Sequence, residues 1–185
     1  MLTSSLVGSL GLVFAAGLMT GPAQADPVLP SGGTVASGSA SILQNNPSNT
    51  LINQQSQSAI INWQNFSVAS GASVTFQQPD SGAITLNRVT GGGLSAINGS
   101  ILANGQVWLI NRNGVLFGQG SHIDVGGLLA TTSDIKDADF LSGNYAFGDA
   151  SQNGQVINQG SIKAATGGSV VLSATHVVNQ GVIAA

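Results

Sequence analysis

The chain contains no cysteine and no glutamate. Without cysteine it can form neither a disulfide framework nor a thiolate metal site. No bridge can then close a loop in an oxidising compartment, which suits a chain that crosses a membrane unfolded. Charge of either sign is scarce. Arg88, Arg112, Lys136 and Lys163 are its only Lys and Arg, seven Asp are its only acids, and charged residues make up 6% of the 185, against roughly 25% in an average soluble domain. Four scattered cations in a chain of net charge −3 cannot lay down the basic footprint of a nucleic-acid binder. The shortage of Glu, Lys and Arg removes the usual surface residues of helical bundles and coiled coils. Disorder driven by charge is excluded as well, because hydrophobic residues still reach 42% and net charge is low. What fills the surface is Gly, Asn, Gln, Ser and Thr, a composition that favours strands and turns.

The N-terminus reads as a processing segment. Leu6 to Met19 is apolar and uncharged, Gly21-Pro22 breaks it, and Ala23-Gln24-Ala25 gives a small-residue cleavage pattern before Asp26-Pro27. This is the layout of a secretory signal peptide over residues 1–25, removed on export. The apolar run is shorter than the ~20 residues of a membrane-spanning helix. It departs from the usual layout in having no Lys or Arg ahead of it. The fold argument therefore concerns residues 26–185.

That part repeats. Ile97-Asn98-Gly99-Ser100-Ile101, Val156-Ile157-Asn158-Gln159-Gly160-Ser161-Ile162 and Val178-Asn179-Gln180-Gly181-Val182-Ile183 share one grammar, and Gly120-Ser121-His122-Ile123 is a looser copy. Gly99 to Gly120 and Gly160 to Gly181 are each 21 residues, and Gly120 to Gly160 is 40, close to two such periods. A fixed period near 20 residues is a solenoid signature. Locally the pattern is strand-like. Ser73 to Gln77 and Gly82 to Asn87 alternate with period two, and Asn-Gly or Gly-Gly punctuates the chain at 98–99, 104–105, 113–114, 126–127, 153–154 and 167–168. Such dipeptides supply tight turns. The expectation is an all-β solenoid of six or seven coils, each holding two or three short strands, with Val, Ile, Leu and Ala inside and Asn stacked in ladders at the turns. A β-sandwich with hairpin turns is the alternative.

One segment breaks the grammar. Residues 131–151 hold Asp134, Asp137, Asp139 and Asp149 together with Lys136, Phe140, Tyr145 and Phe147. It reads as an excursion off the solenoid, a hairpin around Gly143-Asn144 whose aromatics pack on the flank. Its acids read as a solvated loop, since neither the EF-hand spacing nor the Gly-Gly-x-Gly-x-Asp calcium repeat is present.

Five ordered motifs then stand out. They are Ile60-Ile61-Asn62-Trp63-Gln64-Asn65-Phe66-Ser67-Val68; Val74-Thr75-Phe76-Gln77-Gln78-Pro79; Leu86-Asn87-Arg88-Val89-Thr90-Gly91-Gly92; Gly99 and Asn104 to Gly118 with Asn111-Arg112-Asn113-Gly114 inside it; and Val125-Gly126-Gly127-Leu128-Leu129-Ala130-Thr131-Thr132-Ser133-Asp134-Ile135. In this order they closely resemble the N-terminal secretion domain of two-partner secretion exoproteins, the family of filamentous haemagglutinins, large adhesins and haemolysins. The resemblance runs from about Gly32 to the last residue. It implies a right-handed parallel β-helix with an N-terminal cap and extra-helical hairpins. It implies a secretion-signal function: the tag is read by the POTRA domains of a dedicated outer-membrane β-barrel transporter, and the protein passes through the periplasm of a Gram-negative bacterium to the cell surface or medium. A long passenger, an adhesin or haemagglutinin, normally follows such a tag, and the chain here stops within a strand-like repeat. A monomer is expected, with no nucleic acid, cofactor or metal.

By the same resemblance, transporter recognition falls on Asn87, Arg88, Val89 and Thr90 and on Asn111, Arg112, Asn113 and Gly114. The family commonly has Pro where Arg112 stands. Pro would preset the turn, and Arg reaches the same φ at a cost of about 0.4–1 kcal/mol in unfolded-state entropy. Asn and Gly at turns can equally serve the turn itself. Trp63, Phe66, Phe76 and Trp108 read as core or cap residues. An enzyme is not expected. His122 and His176 are the only histidines, no Gly-x-Ser-x-Gly elbow occurs, and His-Glu-x-x-His is impossible without Glu. The alternative function is an adhesin module whose solenoid face binds a target cell directly.

Overall fold

The computed structural model describes residues 29–185; the expected signal peptide, residues 1–25, lies outside the described residues. The described chain opens with β1 (Thr34–Ser37) and β2 (Ala40–Asn46), then winds. β3 (Asn49–Gln54) and β4 (Ser58–Trp63) begin the winding, followed by β5 (Ser73–Gln77), β6 (Ile84–Val89) and β7 (Ser95–Ile97). The next turn is β8 (Ser100–Ala103), β9 (Gln106–Ile110) and β10 (Val115–Phe117). After β11 (His122–Val125) and β12 (Gly127–Thr131) comes a helical turn, α1 (Asp137–Leu141), and then β13 (Gln155–Asn158). β14 (Ser161–Ala164), β15 (Val170–Ser173), β16 (His176–Asn179) and β17 (Val182–Ala184) complete it.

These strands stack into three parallel sheets, so the fold is a β-solenoid of parallel coils. The first face is β3-β5-β8-β11-β14-β17, the second β4-β6-β9-β12-β15, and the third β7-β10-β13-β16. β1 lies antiparallel on β4, and β2 antiparallel on β3, which closes the N-terminal edge of two faces with an N-terminal cap. The repeated glycine of the sequence sits where corners stack. A Cβ on Gly181 would stand 2.1 Å from the Gly160 carbonyl oxygen, and one on Gly160 would stand 2.6 Å from that of Gly118.

The register corrects one reading of the spacing. Ser100 pairs with His122, and His122 pairs directly with Ser161. The 40-residue interval is therefore one coil carrying an insertion, not two coils. The insertion sits at the corner between the second and third faces. Residues 111–114 turn that corner after β9 and residues 174–175 after β15, but residues 132–154 fill it after β12. In place of a two-stranded hairpin, the inserted chain makes α1 and closes on itself through one antiparallel bridge, Ile135 to Phe147. Asn ladders also prove local. Asn158 Nδ2 donates to Asn179 Oδ1 at 2.8 Å, and Gln159 Nε2 to Gln180 Oε1 at 3.0 Å. One coil earlier Phe117 occupies the row of Asn158.

The inner core is built of stacked rows such as Val74, Ile101, Ile123 and Ile162, all buried. The second face is unusual in being apolar on both sides. Its outward row runs Ile60, Leu86, Trp108, Leu129 in register. The insertion covers that row, burying Ile135 and Phe140 against Leu86, Trp108 and Ile110. The Trp108 ring is held edge-on by Phe140 and Tyr145, at centroid distances of 5.6 and 4.7 Å. Each large side chain so buried contributes about 1.5–3 kcal/mol, so the insertion is part of the fold's stability.

Trp108→Ala should then cost about 3–5 kcal/mol in urea unfolding, and Tyr145→Ala, at a residue that is 45% exposed, clearly less. Equal, small costs for both would mean that the insertion does not bury this face in solution.

Candidate functional site: the motif corner

The two sequence motifs arrive at the same place. Asn87 to Thr90 closes β6, Asn111 to Gly114 follows β9, and β6 and β9 are neighbours with Arg88 opposite Ile110. Both motifs thus lie at the corner between the second and third faces, in adjacent coils. Asn113 Nδ2 donates to the Gly91 carbonyl at 3.0 Å and ties one turn to the other.

Strand alternation decides what each residue of the first motif does. Asn87 points inward and is fully buried. A buried amide needs partners, and Asn87 finds them: its Oδ1 accepts from Trp63 Nε1 at 3.0 Å, and its Nδ2 donates to the carbonyls of Thr85 and Trp108 at 3.2 and 3.3 Å. Val89 also points inward, into the core. Thr90 is exposed, and both its N–H and its Oγ1 donate to the Trp63 carbonyl, at 2.8 and 3.0 Å.

Arg88 points outward and meets the insertion. Its Nε donates to Asp134 Oδ1 at 2.8 Å, its Nη1 to Asp137 Oδ1 at 2.7 Å, and its Nη2 to the Ile135 carbonyl at 2.6 Å. Only 14% of the Arg88 side chain is exposed. Burial alone would pull its pKa down, but the hydrogen bonds and charges of Asp134 and Asp137 outweigh that and the net shift is upward. Arg88 therefore fastens the root of the insertion to the coil stack. The acids Asp134 and Asp137, read from sequence as solvated, are the other half of this fastening.

The second motif is a turn with its polar groups used internally. Asn111 is fully buried. Its Nδ2 donates to the Gly93 carbonyl and to Ser95 Oγ, both at 2.9 Å, while its Oδ1 accepts from the Asn113 N–H at 2.9 Å. The Gly114 N–H closes the turn onto the Asn111 carbonyl at 2.9 Å. Gly114 has φ +108°, and a Cβ there would also stand 2.8 Å from the Gln155 carbonyl oxygen. Only glycine satisfies both demands. Arg112 is exposed and forms no ion pair among the described residues. The folded corner thus presents Thr90, Arg112 and Asn113, and a shallow groove between the turns runs from Val89 and Thr90 to Arg112 and Asp134.

Trp63, Gly91 and the two Asp residues belong to this corner and were not among the expected site residues. No signal in the sequence pointed to the Asp partners, because the burial that makes Arg88 require nearby acids is a property of the fold. Trp63, Phe66 and Phe76 lie in the inner core as expected, and Trp108 lies under the insertion. Among the described residues, no three His or Asp side chains come close enough to share a metal ion.

The family model described as "TPS secretion domain" matches residues 27–185. The heme/hemopexin-binding protein of Haemophilus influenzae strain Rd is 38% identical over 163 residues, which is 84% of this chain and 18% of that protein. A second heme/hemopexin-binding protein from H. influenzae is 39% identical over 123 residues, 66% of this chain and 13% of the relative. The chain spans less than a fifth of the length of these curated relatives. Among solved structures, the HMW1 secretion domain from H. influenzae superposes with a TM-score of 0.77 at 34% identity, covering 83% of this chain and 41% of that one.

The corner chemistry separates the two arginines. Arg88→Ala should lower the unfolding free energy by about 1–3 kcal/mol, because it strands two carboxylates and a carbonyl, whereas Arg112→Ala should stay within about 0.5 kcal/mol of the parent. A double-mutant cycle between Arg88→Ala and Asp134→Ala should show coupling. Additive losses would refute the fastening role.

Proposed function

The chain belongs to the TPS secretion domain family, the secretion domains of two-partner secretion exoproteins, and on that footing we propose that it is the tag by which a dedicated outer-membrane transporter recognises its exoprotein. The leader at residues 1–25 delivers the chain to the periplasm, the POTRA domains of the transporter bind the tag, and the β-barrel passes it to the outside of a Gram-negative cell. The tag is a binding module and performs no catalysis.

The observation that carries this reading is the convergence of the two motifs on one corner of adjacent coils, with an exposed Arg112 that the corner itself does not use. Burial adds a condition. Asn87, Val89 and Asn111 are inside the folded coil, so of the two motifs a partner that meets the folded domain finds Thr90, Arg112 and Asn113 exposed and little of Arg88. The full motif is readable only before these coils close. Transporter contact with Asn87, Arg88, Val89, Asn111 and Gly114 therefore belongs to an unfolded or partly folded chain.

A second reading, a solenoid that binds a target-cell surface directly, is favoured by a groove of about 760 Å³ on the third face. Its walls carry Asn98, Gln119 and Gln159 over an apolar floor of Ala96 and Leu116. Point changes in the motif corner separate the two.

Co-expression of residues 1–185 with a cognate outer-membrane two-partner secretion transporter should release the chain into the medium, and omission of the transporter should hold it in the periplasm. Arg112→Ala should reduce that release while leaving the circular dichroism spectrum and stability of the purified chain unchanged. Normal release of Arg112→Ala and of Asn111→Ala, with loss of binding to target cells instead, would overturn the tag reading in favour of the adhesin reading.

A further inference from the structure

We propose that Asn153-Gly154 is a site of spontaneous succinimide chemistry, through which the folded chain gains a carboxylate and an isoaspartyl linkage one coil from the motif turn.

Four Asn-Gly dipeptides occur, at 98–99, 104–105, 113–114 and 153–154. All four have the same small residue after Asn, so in an unfolded chain they should react alike. The fold separates them. Ring closure requires the glycine N–H to be free to lose its proton and the backbone nitrogen to turn onto the Asn side-chain carbon. A hydrogen bond holds both back. The Gly99 N–H donates to the Val68 carbonyl at 3.1 Å, that of Gly105 to Gln78 Oε1 at 3.1 Å, and that of Gly114 to the Asn111 carbonyl at 2.9 Å. Two of the amides are pinned as well. Asn104 Oδ1 accepts from the Gln78 N–H at 2.8 Å while its Nδ2 donates to the Gln78 carbonyl at 2.7 Å, and Asn113 Nδ2 donates to the Gly91 carbonyl at 3.0 Å. At the fourth site neither restraint exists. Asn153 is exposed, and neither its side chain nor the N–H of the buried Gly154 has a hydrogen-bond partner among the described residues; only the Gly154 carbonyl is held, by Thr175 Oγ1 at 3.5 Å.

The chemistry needs only water. The Gly154 nitrogen, buried beside exposed Asn153, gives up its proton to a water or hydroxide that reaches it from the Asn153 side and attacks Cγ of Asn153. The bond from Cγ to Nδ2 breaks, and that nitrogen takes up a proton and leaves as ammonia. Water then opens the ring at either carbonyl. One opening leaves an ordinary aspartate side chain where the amide stood. The other gives an isoaspartyl link, in which the main chain runs through the side-chain carbon and is one atom longer.

The position gives the change a consequence. Gly154 directly precedes β13, which stacks on β10, and the point where its Cβ would stand is 2.6 Å from the Arg112 carbonyl oxygen and 3.1 Å from the Gly114 nitrogen. The new carboxylate therefore arises beside the turn that carries exposed Arg112, and the lengthened backbone lies where the insertion rejoins the stack.

The test is peptide mapping by mass spectrometry of the purified full chain, held folded at neutral pH and physiological temperature, with isoaspartate counted by enzymatic methylation. Amide loss at Asn153 should run several-fold faster than at Asn98, Asn104 and Asn113, and in strong denaturant the four rates should converge. Asn153→Gln should lower the isoaspartate count of the folded chain to that of the three restrained sites. Comparable rates at Asn153 and at any restrained site in the folded parent chain would overturn the proposal, and that comparison needs no variant to fold.

Discussion

Each coil takes its backbone hydrogen-bond partners from the coil before and the coil after, so every side chain stands directly on a residue about one turn earlier. Position in a row, more than position in the sequence, decides what a residue can be. Inner rows can be Val, Ile and Leu without interruption. Outer rows at a spacing of ~4.8 Å would place like charges face to face, which is destabilising. The near-absence of charge follows from this geometry. The one pair of charged residues in direct register among the described strands, Asp124 and Lys163, has opposite signs and closes to 3.5 Å.

The same constraint explains why polar side chains inside the stack come as sets. Gln54 and Gln78 both reach Thr85, Asn87 joins Trp63 to two backbone carbonyls, and Asn111 joins three separate groups. In a medium of low dielectric such groups favour the fold only when nearly all their bonds are made. Motif residues that look like a recognition code in the sequence are thus also the internal fastenings of one corner. The two roles are compatible because they belong to different states of the chain: an unfolded segment offers side chains that the closed coil withdraws.

Strand-and-turn alternation and the 21-residue glycine spacing made the solenoid legible, since both are local or nearly local signals. The insertion was legible as a break in the grammar, and its aromatics as flank packing. Its size relative to the period was not, because an insertion close to one period long mimics a missing coil. The apolar outer row of the second face left a trace in the uninterrupted runs Ala59-Ile60-Ile61 and Val107-Trp108-Leu109-Ile110, the mark of strands buried on both sides. The role of Arg88 was hidden for a different reason. Its partner Asp134 lies 46 residues away, and nothing in a single sequence reports a contact across two coils.

The covered face is laid down well before its cover. Leu86, Trp108 and Ile110 belong to coils that can close as soon as residue 110 is available, whereas Ile135 and Phe140 follow only later in the chain. Any process that delivers this polypeptide from its N-terminus passes through an interval in which a finished stretch of solenoid has a bare, greasy flank. The Arg88 fastening ends that interval. It acts as a length gauge, engaging only after about two further coils' worth of chain has followed, and it divides the maturation of the domain into a stage that can still be held by others and a stage that is sealed.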